Sequence, residues 1–189
     1  PRIRSPRKNA VAHPSIDSTQ HKEPPAPIVW SYVAFLIGTP LACAVLIPIH
    51  HVTRGFHPSL LVAAGVLWIL TGIGITAGYH RLFSHKSYEA KDWFRALLLI
   101  FGAASWQNSV IVWSSNHRYH HRYVDTDNDP YNAKRGFWFS HLGWLMRDVR
   151  YDDGYTNVPD LWNDPLCRLQ HTYYWPLNLG FNVCVPILI

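Results

Sequence analysis

Two short stretches of this 189-residue chain gather histidines at spacings that could do chemistry. "HRLFSH" places His80 and His85 at an offset of five, and "HRYHH" places His117, His120 and His121 at offsets of zero, three and four. Successive residues of an α-helix turn by about 100°, so the second set falls within an arc of about 100° and shares one face. His80 and His85 would stand about 140° apart on a regular helix, so joint action requires the helix to end or distort between them. Grouped imidazoles repel one another and lose solvation when protonated, whereas a metal holds them neutral and satisfied. Both sets therefore read as metal ligands.

Five imidazoles exceed what one tetrahedral zinc site uses, and imidazole also suits iron and copper. No Glu lies inside either set, so a zinc peptidase would lack its general base. A bis-His haem would leave three ligands unexplained, which makes a multinuclear non-haem site the more economical reading. The acidic run "DTDNDP" (125–130) is not a calcium loop: Pro130 stands where the turn needs Gly, and Gly136 stands where the bidentate Glu belongs. It reads as a turn. Six of the seven other histidines, His13, His21, His50, His51, His57 and His171, read as polar residues at a water boundary, and Cys43, Cys167 and Cys184 show no close pairing that would make a disulfide framework or a cysteine zinc site.

The elements that must carry these residues are apolar. Residues 28–49 and 59–79 contain no charged side chain, and each run has the length of about twenty residues that a helix needs to cross a hydrocarbon core roughly 30 Å thick. Basic residues precede the first run and follow the second, with Arg54 between them. That asymmetry predicts a hairpin with both ends in the cytoplasm, and hence the histidine sets at the cytoplasmic surface of a multi-pass membrane protein. The Pro-rich polar segment 1–27 is expected to be a disordered tail. A further oily stretch, about 93–113, holds Arg95, Gln107 and Asn108 and is expected at the interface or re-entrant. Residues 114–171 would form the cytoplasmic segment, and 173–189 opens with aromatics as the start of a third span, so the chain reads as a piece of a longer protein. The net charge of +5 does not point to nucleic acid, because no Lys/Arg patch interleaved with aromatics lies outside the membrane-adjacent zones.

The two histidine boxes, their spacing, and the segments "WQNSVIVW" and "DPYNAKRGFWFSHLGWL" together resemble the membrane fatty acid desaturases, most closely the acyl-CoA Δ9 (stearoyl-CoA) type, over roughly residues 28–189. The resemblance implies an all-α fold: an integral membrane helical bundle under a cytoplasmic helical cap that carries a His-rich diiron site. It implies two iron ions held by His80, His85, His117, His120 and His121, with no catalytic residue separate from the ligands and O2 as co-substrate. It implies a long-chain acyl-CoA or other acyl carrier as substrate, an electron donor of cytochrome b5 or ferredoxin type, and a cis double bond as product. Gln107 and Trp113 match positions lining the acyl tunnel, and Asn108 matches one near its carrier-bearing end. Ser115 and Asn116 stand where animal acyl-CoA enzymes have Arg-Asp, which removes a phosphate and nucleotide contact and leaves open whether the carrier is CoA, acyl carrier protein or a lipid. The family's third box would lie beyond Ile189. Two other readings of the histidines are a related diiron hydroxylase or oxygenase and a non-catalytic metal- or haem-binding membrane protein.

Overall fold

The computed structural model describes residues 26–148 and 154–188; the segment 1–25, which holds most of the polar tail together with His13 and His21, lies outside them. Among the described residues every regular element is helical, apart from one isolated antiparallel bridge between Ile28 and Arg147.

The first apolar run folds as α1 (Trp30–Arg54), and α1 buries none of its residues. A 25-residue helix is about 38 Å long and bonds most of its backbone internally, as hydrocarbon demands of a spanning segment, although Pro40 and Pro48 inside it donate no N–H to the preceding turn. Its start is stitched to the polar part of the chain: the Val29 N–H donates to Met146 O at 2.9 Å, and the Asp148 N–H donates to Pro27 O at 2.9 Å. The helix ends at Gly55, whose φ of 84° suits glycine and whose N–H returns to His51 O.

The second run forms α2 (Pro58–Ile73), opened by Pro58 at its first turn. It continues unbroken as a π-helix over Gly74–Ser84, so that Pro58–Ser84 is long and apolar enough to cross a membrane. The π-helical part lies against α3 (Asp92–Ala104), and glycines permit the approach. A Cβ on Gly74 would sit 2.4 Å from the backbone nitrogen of Gly102, and a Cβ on Gly102 would sit 2.3 Å from the Tyr79 ring. Tyr79, Leu98, Leu99, Val110 and Ile111 close the core at this crossing.

The oily stretch 93–113 is split rather than continuous. α3 stops at Ala104 and α4 (Val110–Tyr123) begins after five intervening residues. Between them Trp106 (φ 62°) and Asn108 (φ 70°) hold left-handed backbone that side chains disfavour. Long-range bonds impose it: the Tyr79 hydroxyl donates to Asn108 O at 3.3 Å, and the Asn108 N–H donates to the Tyr174 oxygen at 3.2 Å. Ser109 then caps α4 by accepting from Val112 N–H.

The C-terminal part packs back as α5 (Pro159–Asn163), α6 (Pro165–Thr172) and α7 (Tyr174–Leu179), followed by a short π-helix, Gly180–Cys184, and α8 (Val185–Leu188). Asp164 caps α6 through Leu166 and Cys167 N–H. Asn178 and Asn182 donate to Ala103 O and Ala104 O at 2.8 and 3.0 Å, satisfying the carbonyls that the end of α3 leaves without helical partners.

Candidate metal centre

The distortion that His80 and His85 require is the π-helix itself. Its i→i+5 bonding widens the turn so that residue i+5 returns close to residue i, and the His85 N–H closes on His80 O at 3.0 Å. The two rings lie 4.6 Å apart, centroid to centroid. α4 brings the second set alongside. Ser84 Oγ donates to Tyr79 O at 2.7 Å and is hydrogen-bonded to Ser114 Oγ at 2.9 Å, which joins the end of the π-helix to the middle of α4.

Four imidazoles then converge: His80, His85, His117 and His121 offer ring nitrogens that all lie within 4.8 Å of one another. His117 Nε2 faces His85 Nε2 at 2.9 Å and His121 Nε2 at 3.0 Å. One ring nitrogen carries either a proton or a lone pair, so it cannot serve two such neighbours well as a hydrogen-bond partner. Lone pairs aimed at a shared cation satisfy all of them. Burial, followed by His121, His80 and His85 as neighbours, pushes the His117 pKa down from 6.5 to about 3, which leaves the ring neutral at physiological pH, the form that ligates. His85 is shifted down for the same reasons, burial first. Nitrogens this close leave no space for a porphyrin between them, so the cluster fits a non-haem ion and not a bis-His haem.

His120 stands apart from this group. Its Nδ1 lies 2.8 Å from Asp129 Oδ1, and the Asp129 side chain is fully buried. Asp129 also accepts the N–H groups of Asp125 and Tyr131 at 2.8 and 3.0 Å. The acidic run that does not match a calcium loop is thus a turn whose last carboxylate fixes His120, the pairing that typically orients a ligating imidazole through its second nitrogen.

Trp113 stacks on His117, 4.8 Å between centroids at 24°, and its indole N–H donates to Gln107 Oε1 at 3.1 Å. These two therefore meet each other beside the cluster. Asn108 contributes backbone contacts in the strained turn. Ser115 points inward: it is buried, its Oγ donates to Asn157 Oδ1 at 2.7 Å, and its carbonyl accepts from Asn157 Nδ2 at 2.9 Å. It is committed to holding α4 against the segment before α5, while Asn116 is half-exposed.

Sequence reasoning missed three residues that shape the site. Arg118, Asp160 and Asp129 form its polar framework, and their partners lie far along the chain or in a turn whose folding the local sequence does not specify. His171, read as a boundary histidine, is half-buried, with its Nδ1 2.6 Å from Ser109 Oγ. Its nearness to the cap of α4 could be found only from the fold.

Comparison with known proteins identifies the family. The family model described as fatty acid desaturase matches residues 57–173. The chain is 37% identical over 166 residues to the Delta(9)-fatty-acid desaturase fat-7 of Caenorhabditis elegans, covering 86% of this chain and 48% of that protein. It is 43% identical over 169 residues to stearoyl-CoA desaturase 5 of Bos taurus, covering 86% and 49%, and 46% identical over 136 residues to stearoyl-CoA desaturase 5 of Homo sapiens, covering 70% and 41%. The chain thus spans less than half the length of these relatives. With its two histidine boxes folded into one cluster at the end of an apolar helix, the chain belongs to the fatty acid desaturase family.

Proposed function

We propose that the protein carrying this chain is an O2-dependent membrane desaturase that introduces a cis double bond, at the Δ9 position, into a long-chain saturated acyl thioester in lipid biosynthesis. The convergence of imidazoles from both boxes is the observation that carries this reading. The relatives' names supply the substrate class, acyl-CoA, and the reaction.

The chemistry explains why the site is built from neutral imidazoles. A methylene C–H in an alkyl chain offers no acidic proton to a general base, so acid/base groups alone cannot remove it. Iron bound at this cluster, as one of the two ions the family resemblance implies, would supply redox chemistry with O2. The balance is complete when two hydrogens leave the acyl chain, a donor of cytochrome b5 or ferredoxin type supplies two electrons, two protons enter from water, and O2 leaves as two waters. The protein's own residues hold and orient. His80, His85, His117 and His121 present lone pairs; His120 is aligned by Asp129; Trp113, pinned by Gln107, covers one face of His117 and shields it from water. Fixing one carbon pair against the cluster is the larger part of what the fold must do, because near-attack geometry sets rate and position together.

Charge asymmetry around the two apolar runs supports a multi-pass arrangement with the cluster on the cytoplasmic side, where a soluble donor can reach it. The test is expression of the full-length gene in a desaturase-deficient host, followed by gas chromatography of the fatty acids. A new cis-Δ9 monounsaturated acid is the expected result. Stable protein with an available electron donor and no new unsaturated acid would contradict the proposal.

A further inference from the structure

Arg118 sits inside the second histidine box, next to His117, and its side chain is directed to the end of the π-helix and to α5. Its guanidinium uses all five of its N–H donors. Nε donates to Ser84 O at 3.2 Å and Nη2 to Phe83 O at 3.0 Å. Nη1 donates to Asn157 O at 3.1 Å, and the fork closes on both oxygens of Asp160, at 2.7 and 2.9 Å. The two carbonyls belong to the residues immediately before His85, and the arginine is the residue immediately after His117.

We infer that Arg118, locked by Asp160, is the positioning residue that sets the separation of the two histidine boxes, holding His85 against His117 at ligand distance. The reason is geometric. The π-helix ends at Ser84; the His85 N–H makes a closing bond to His80 O and Lys86 already has a left-handed φ of 51°, so no further helical turn follows to hold the carbonyls of Phe83 and Ser84. The Arg118 fork ties this backbone to α4 while Asp160 fixes the fork from α5. Only a planar guanidinium with five donors in fixed directions meets this set of acceptors; a lysine ammonium has three donors around one atom. Lys86 also reaches Asp160, at 2.9 Å, but its side chain is mostly exposed, and it touches neither box carbonyl.

The inference rests on reading the histidine cluster as a metal centre, and the experiment separates the two. Full-length protein carrying this chain is purified metal-free and titrated with Co2+, following the visible d–d bands, and iron content is measured after reconstitution. Arg118→Lys is expected to bind Co2+ about 10- to 100-fold more weakly, the usual cost of losing an outer-shell support, with altered band positions. Lys86→Gln leaves the five guanidinium bonds in place and is expected to match wild type. Asp160→Asn, which keeps the fork's partner in shape but replaces one acceptor oxygen by a donor, is the second variant and is expected to weaken binding in the same direction. A folded Arg118→Lys or Asp160→Asn protein with wild-type affinity and spectrum overturns the inference. Wild-type protein that takes up no Co2+ overturns the metal-centre reading instead.

Discussion

The first long apolar helix and the histidine-bearing core are held by opposite means. α1 buries no residue, and its large apolar side chains, such as Leu41, Val45 and Ile47, stand outward; the helix persists because its backbone bonds to itself. The region from Gly74 to Gln170 is packed glycine to backbone, and its turns are held by hydroxyl, amide and guanidinium groups from distant parts of the chain. Local rules govern the first region and long-range polar contacts the second, so equivalent substitutions should have opposite consequences in the two.

The largest effect is expected inside the core. His117 lies at the centre of the imidazole group, so His117→Ala should reduce metal affinity by more than the roughly 10- to 100-fold that loss of an outer-shell partner costs, and should abolish product in the fatty acid assay. Leu41→Ala in α1 should leave metal content unchanged in the same preparation.

Glycine substitutions sharpen the contrast through stability. Gly74→Ala drives a methyl to 2.4 Å from Gly102 N, a backbone atom that cannot swing aside, and should cost about 3 kcal/mol, the upper end for overpacking. Gly38→Ala in α1 meets nothing within 4 Å and should instead gain up to about 1 kcal/mol from helix propensity. Thermal unfolding in detergent micelles reads both signs.

Smaller effects test the polar framework. Gln107→Leu leaves the Trp113 indole N–H without its partner and should cost about 1 kcal/mol, moving the acyl chain-length preference in the fatty acid profile while iron content stays constant. pH gives a further handle at Asp160. Burial pushes its carboxyl up, but the Arg118 and Lys86 contacts outweigh that and hold it well below the usual carboxylate range. A depressed folded pKa contributes stability that is present above the unfolded value, about pH 4, and is lost as pH falls further. The thermal midpoint should therefore hold across mildly acidic pH and drop below about pH 4, and Asp160→Asn should flatten that drop.

The two regions also differ in how far a sequence discloses them. The two long apolar helices were legible because hydrophobicity accumulates over twenty residues: the runs 28–49 and 59–79 contain most of Trp30–Arg54 and Pro58–Ser84. The helical offsets of His117, His120 and His121 put them on one side of α4, and the offset of five between His80 and His85 required a distortion. That the distortion is a π-helix was not legible, since α- and π-turns differ by one residue of hydrogen-bond register and no side chain announces which is made. The break at 105–109 was hidden because its left-handed residues are Trp106 and Asn108, and only the latter belongs to a type that favours such backbone. Tyr79 and Tyr174, from distant elements, hold it. His120 separates from its face-mates because Asp129 engages its Nδ1, a contact that depends on how the following turn folds.

The central claim is that both boxes serve one metal centre. X-ray absorption at the iron edge of the purified full-length protein tests it most directly. The account predicts an imidazole shell at about 2.0–2.2 Å, as for other His-ligated metals, that is lost together with bound iron in His85→Ala and in His117→Ala alike. Iron bound without imidazole scattering, or an unchanged spectrum when either histidine is removed, would contradict it.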